Sequence, residues 1–346
     1  MFREYTKSLF KRVDKRQLMQ FKPPRLPQRI YTKTLNIDNK HYGKFCQEVA
    51  WPASEHVHPL YLQMLSLPLQ MRCLLDKQSP FPLLGLIHCA NKVEVFEHCD
   101  LSEPVEFRVR FSDVRPHARG WEVDVLLDAL QSSKCVYKAV SSYLVKVKAV
   151  HVAPRAAQTG HVSTDTSDEA IQRELVSTLT ASADTGRRYA AISGDYNPIH
   201  LSAVSAKAFG FKTAIAHGMW TLACVISQFV DNTADKATVD DTVEANGEST
   251  DNAEKEQGSG GNKALCNGYI KEVSCRFKQP VYLPNELTVY SKSLTSSLSA
   301  TSKSHANPHA NPHANPHANP YAKHSAELEV TSAKDSITHL HAFLHY

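Results

Sequence analysis

The feature that most constrains this chain is an internal echo. Two long apolar segments read as helices: 58–75 (HPLYLQMLSLPLQMRCLL), despite Pro68, and 217–230. Each precedes four strand-like runs, at 85–97, 105–112, 121–130 and 136–147 in the first half and at 268–278, 286–292, 326–331 and 337–344 in the second. A turn carrying proline falls at the same place in each half, Ser-Glu-Pro at 102–104 and Leu-Pro-Asn at 283–285. Consecutive strands at hairpin spacing imply antiparallel pairing. One buried helix against such a sheet is an α+β layer arrangement. The expectation is two like halves, each an antiparallel sheet with one buried helix.

Two stretches do not fit a packed domain. Residues 231–267 are rich in Asp, Glu, Thr, Asn and Gly, and their first part is acidic and nearly free of aromatics. Such a composition buries too little apolar surface to order itself. Within 298–324, a His-Ala-Asn-Pro repeat runs from His305 to Pro320. A proline every fourth residue forbids both a helix and a central strand. Both stretches are expected to be disordered insertions in surface loops, and the repeated histidines are given no metal-binding role.

Composition narrows the function class. With 39 basic and 35 acidic residues the net charge is +4, and no basic patch is interleaved with aromatics, which argues against a nucleic-acid partner. None of the eight cysteines forms a Cys-x-x-Cys pair or has zinc spacing. They read as reduced thiols of a cytoplasmic protein. Residues 1–30 form a basic extension without the apolar core of a secretion signal. The longest apolar run, 214–230, contains His217, Thr221, Ser227 and Gln228 and falls short of the ~18 residues of a spanning helix. It reads as a core helix, with no role in a membrane.

The chemistry concentrates in 189–219, YAAISGDYNPIHLSAVSAKAFGFKTAIAHGM. Gly194-Asp195-Tyr196-Asn197-Pro198 is a dense turn signal that follows a short helical pattern at 187–192. A turn aims the Asp195 carboxylate and the His200 imidazole at one point. His217-Gly218-Met219 then opens the long apolar helix. The first amides of a helix lack intrahelical partners and sit at its positive dipole end, where an oxyanion can be held. An acid–base pair beside such donors has the parts needed to add water to a conjugated thioester.

These residues resemble the signature of the MaoC-like dehydratases, the (R)-specific enoyl-CoA hydratases. The family pattern Gly-Asp-x-Asn-Pro-x-His stands unbroken at 194–200, Ile-x-His-Gly-Met stands at 215–219, and Arg276-Phe277-Lys278-Gln279-Pro280-Val281 is similar to the family's strand motif. The resemblance covers about half the chain, 180–345. It implies a double hot-dog fold: two antiparallel sheets, each wrapping a central helix. Residues 31–155 would be a degenerate first hot-dog repeat and 156–346 the catalytic one. In the first repeat Tyr42 to Cys46 echoes Tyr189 to Ser193, but no Asp-x-Asn-Pro-x-His follows, and His58-Pro59 stands where His217-Gly218 would.

The resemblance also implies roles. Asp195 and His200 activate the water and shuttle its proton, and the Gly218 amide forms the oxyanion hole. Asn197 braces the turn or contacts the site, and His217 and Met219 contact the substrate. The implied reaction is hydration of a trans-2-enoyl thioester to the (R)-3-hydroxyacyl thioester, or its reversal, without metal or cofactor. The partner is an acyl-CoA or acyl carrier protein thioester. Assembly stays open between monomer and homodimer. Two alternatives remain: a thioesterase on the same fold, and a non-catalytic acyl-thioester-binding subunit.

Overall fold

The computed structural model describes residues 15–52, 54–83, 85–147, 173–244, 269–292, 325–334 and 336–346. Residues 1–14 of the basic extension, the expected boundary near 155, and the stretches 245–267 and 298–324 lie outside the described residues.

In chain order the first half holds α1 (Lys15–Leu18), β1 (Tyr31–Leu35), α2 (Asn39–Val49), α3 (Tyr61–Leu74), β2 (Ile87–Val95), β3 (Val105–His117), β4 (Gly120–Gln131) and β5 (Lys134–Lys146). The second half holds β6 (Arg173–Ala181), α4 (Thr185–Ser193), a 3-10 turn (Pro198–His200), α5 (Ala203–Lys207), α6 (Gly218–Glu244), β7 (Glu272–Phe277), β8 (Asn285–Lys292), β9 (Ser325–Ser332) and β10 (Thr338–His345). All eight strand-like runs of the sequence are strands. The short edge strands β1 and β6 and the helix α2 carry weaker patterns and emerge only here.

The strands form one antiparallel sheet in the order β1-β3-β4-β5-β2-β7-β10-β9-β8-β6. Read outward from the centre, β2-β5-β4-β3-β1 mirrors β7-β10-β9-β8-β6. The two expected sheets are thus joined edge to edge at the β2–β7 seam, where Ala90 faces Arg276 and Glu94 faces Glu272. Pairing at the seam closes what would otherwise be two exposed edges.

Period-2 alternation decides which face is core. In β4 the inward Trp121, Val123, Val125, Leu127 and Ala129 are buried. The outward Asp124 and Glu122 are held by Arg115, with Arg115 2.6 Å from Asp124. α3 is apolar on nearly every side, as a central helix must be, and buries Tyr61, Leu62, Met64, Leu69 and Met71. One buried polar cluster ties it to the sheet: Gln63 donates to Ser141 Oγ at 2.8 Å, and Asn91 Nδ2 donates back to Gln63 Oε1 at 2.7 Å. His58, just ahead of α3, accepts from the Leu60 amide on Nδ1 and donates from Nε2 to the Ala223 carbonyl of α6 at 3.3 Å. Both helices therefore share the inner face.

One expectation is corrected. α6 does not stop at Val230 but runs to Glu244, so 231–244 is helical. Acidic residues do not break a helix, and the first glycine beyond them is Gly247. Asn232 also donates to the Val176 carbonyl at 3.1 Å, pinning the extension to β6. Among the described residues no helix is long and apolar enough to cross a membrane.

Candidate active site

α4 ends where Gly194 takes the left-handed conformation (φ 71) and its amide donates to Ala190. Glycine adopts this cap without steric cost. The next residues form a ladder of short-range bonds. Ser193 Oγ accepts from the Asp195 amide at 3.1 Å, Asp195 Oδ1 accepts from the Asn197 amide at 3.2 Å, and Asn197 Oδ1 caps the Ile199 amide at 3.4 Å. Pro198 occupies the first position of the 3-10 turn, where its missing N–H costs nothing. The Asn197 side-chain oxygen is thus engaged within the turn itself.

The turn then docks. The Ile215 amide donates to Ile199, the Ala216 amide to Val281, and the Leu283 amide to Ala214. The three matched motifs are consecutive rungs of one ladder. His200 Nδ1 donates to the Ile215 carbonyl at 2.8 Å, which leaves Nε2 bare in the neutral ring. His217 Nε2 donates to the Asp195 carbonyl at 3.0 Å, with Asp195 Oδ2 3.9 Å away. The rings of His200 and His217 stack at 3.7 Å. His217 Nδ1 is buried without a hydrogen-bond partner.

Asp195, His200 and His217 each place one ligand-capable atom within 4.8 Å of the others, close enough to face one water molecule or one cation. Each imidazole already spends one nitrogen on a carbonyl, and the set contains a single carboxylate. Burial, aided by His217, pulls His200 down to about 3, against the Asp195 charge and the Ile215 carbonyl, which raise it. Burial also lowers His217, against the same charge and the Asp195 carbonyl. Both rings are neutral near pH 7. The Asp195 side chain keeps 26% of its surface exposed and borders solvent.

Gly218 is the first residue of α6, so its amide has no intrahelical carbonyl to donate to. A Cβ there would stand 2.8 Å from the Phe277 ring. Met219 packs partly buried against the core. Asp195, His200 and His217 therefore meet around one point, with Gly218 next to His217 at the start of α6, while Asn197 holds the turn and Met219 packs against the core.

Sequence reasoning did not find the residues that brace this point. A Cβ on Gly186 would collide with the His200 carbonyl, so α4 can lie against the turn only with glycine there. His41 of α2 donates from Nε2 to the Ile192 carbonyl at 2.9 Å and accepts from Tyr61 Oη at 3.0 Å. Glu48 bonds Arg188 of α4 at 3.1 Å and Trp220 of α6 at 3.2 Å. None of these sits in a motif. A separate cavity lies away from the Asp195 cluster, lined by His56, His58, Pro59, Val95, Tyr137 and Tyr269. There the two His58 nitrogens are already engaged and Pro59 offers no amide, so the first half lacks the second half's donors.

The family model for the MaoC like domain matches residues 162–248. The 3-hydroxyacyl-thioester dehydratase X of Mycobacterium tuberculosis is 29% identical over 203 residues, which are 58% of this chain and 70% of that protein. The crystal structure of HtdX from M. tuberculosis superposes with a TM-score of 0.60 at 21% identity, over 91% of this chain and 99% of that one. A MaoC-like dehydratase from Phytophthora capsici gives a TM-score of 0.53 at 13% identity, over 96% and 99% of the two chains. Motif and matched residues make the chain similar to the MaoC-like dehydratases, and its fold is the double hot-dog of those structures.

Proposed function

We propose that this protein adds water to a trans-2-enoyl thioester to give the (R)-3-hydroxyacyl thioester, or runs the reverse dehydration. The observation that carries this reading is the approach of the Asp195 carboxylate and the His200 imidazole across the turn, with His200 Nε2 bare. A neutral imidazole with its other nitrogen on a carbonyl is ready to take a proton from water. Asp195, at the solvent border, orients the same water, and the protonated His200 gives the proton it took to the α-carbon. His217 fixes the Asp195 backbone. The Gly218 amide, at the positive end of a helix, holds the enolate oxygen of the thioester. The name of the mycobacterial relative, a 3-hydroxyacyl-thioester dehydratase, supports the same chemistry. The carrier is coenzyme A or an acyl carrier protein.

The test follows the enoyl chromophore of a short enoyl-CoA. Loss of absorbance is expected with the wild type, and Asp195→Asn and His200→Ala each lower the rate by at least about 10²-fold. Wild-type rates in both variants refute the assignment. Release of free thiol instead would mark a thioesterase, and tight binding without turnover a non-catalytic subunit.

A further inference from the structure

A third imidazole, His88 of the first half, stands against Phe277, the ring that borders Gly218. The β2–β5 register shifts between His88 and Ala90, so that His88 faces Tyr143 and Ala90 faces Ser142, with Cys89 as the extra residue. Strict alternation from the inward Asn91 and Val93 would turn Cys89 in and His88 out. The bulge reverses this: the Cys89 thiol donates to the Ser142 carbonyl at 3.3 Å, and His88 turns to the inner layer. Bulges that re-aim one side chain are common beside functional sites.

There the His88 ring stacks on Tyr143, with centroids 4.9 Å apart, and leans on Phe277 at 5.1 Å. Tyr143 donates to Gln70 of α3 at 3.1 Å, which fixes the stack. Phe277 is the ring that excludes a side chain at Gly218. His88 Nε2 is buried without a hydrogen-bond partner, and such an atom is costly unless a ligand satisfies it. The Asp195 charge acts on both His88 and Tyr143 across the seam. Burial lowers His88 to about 4, partly offset by the Ala90 backbone, Asp195 and Asn91, so the ring is neutral.

We propose that His88, from the half without the signature motif, touches substrate at the Asp195 site, its Nε2 accepting a hydrogen bond from the water or hydroxyl at C3. The proposal rests on the hydratase reading and makes the site composite: the second half supplies Asp195, His200 and Gly218, and the first half the acceptor that orients the C3 oxygen.

His88→Phe keeps a ring against Tyr143 and removes the acceptor. His88→Gln removes the ring and keeps a hydrogen-bonding end. A contact to substrate predicts that His88→Phe loses about 10-fold in kcat on enoyl-CoA while His88→Gln stays within about threefold. A packing role predicts the opposite order and overturns the proposal, as do equal losses in the two variants. A binding measurement in an Asp195→Asn background, where bound compound is not turned over, gives an independent readout. Adding His88→Phe is expected to weaken (R)-3-hydroxybutyryl-CoA about 10-fold and leave butyryl-CoA unchanged. Equal effects on the two compounds overturn the His88 contact alone. A wild type that turns over no enoyl thioester overturns the hydratase reading and the His88 contact with it.

Discussion

At Gly218 a single hydrogen in place of a methyl group decides whether α6 can begin beside the Phe277 ring. Gly218→Ala puts a carbon 2.8 Å from that ring and forces one of them to move. Overpacking of this kind costs about 1–3 kcal/mol, and it displaces the amide that the proposed mechanism sets on the thioester oxygen. The expected outcome is a lower melting temperature together with about a 10-fold lower kcat. Unchanged values of both would show that the amide position is not critical. The candidate site residues were legible in the chain because they are local: Asp195, Asn197 and His200 share one turn, and His217 and Gly218 share one helix start. Gly186, His41 and His88 were not. Each acts on something far along the chain, and a lone Gly or His in a helix or strand has no pattern to announce it.

Among the elements, the long helices and the eight regular strands show in their hydrophobic periods, since burial of one face forces period 2 on a strand and burial on all sides forces an unbroken apolar run on a helix. The clamp between elements does not show in this way. Glu48, its side chain only 11% exposed, joins α2 to α4 through Arg188 and to α6 through Trp220. Glu48→Ala leaves the buried Trp220 Nε1–H without this acceptor and frees one side of Arg188. About 1–3 kcal/mol of stability is expected to go, with Trp220 fluorescence shifted to the red and kcat falling as α4 and the turn it ends in loosen. Arg188 keeps Asp184 as a partner at 2.6 Å, so the effect stays below that of exposing a fully buried ion. An unshifted fluorescence spectrum would place Trp220 outside the clamp.

For the whole molecule, buried neutral histidines set the response to acid. Burial depresses His58 to about 3, His88 to about 4 and His200 to about 3, from an ordinary value of 6.5. His217 shifts the same way. Below 6.5 the unfolded chain binds protons that the folded chain refuses, so folding stability drops as pH falls through the window from about 6.5 to 3 and is flat above it. Each ring contributes up to about 1.4 kcal/mol per pH unit within that window. A melting temperature that declines steeply from pH 6 to pH 4, and little between pH 7 and pH 8, is the expected result of calorimetry. A melting temperature constant down to pH 4 would mean that these rings are solvated. Because His58 sits between α3 and α6 and His88 lies beside the seam, acid should loosen the two halves together.

Local spacing settled the antiparallel α+β layers, the doubled unit of helix and strands and the tight turn between Asp195 and His200, because periodicity and turn chemistry act over a few residues and leave their mark in the order of amino acids. Three-dimensional packing decided that β2 and β7 fuse ten strands into one sheet, that α6 continues to Glu244, and that His41, Glu48 and His88 of the first half converge on the site of the second. Those outcomes depend on contacts between residues up to about 190 positions apart, where burial and pairing are decided by the whole fold and no neighbour in the chain records them.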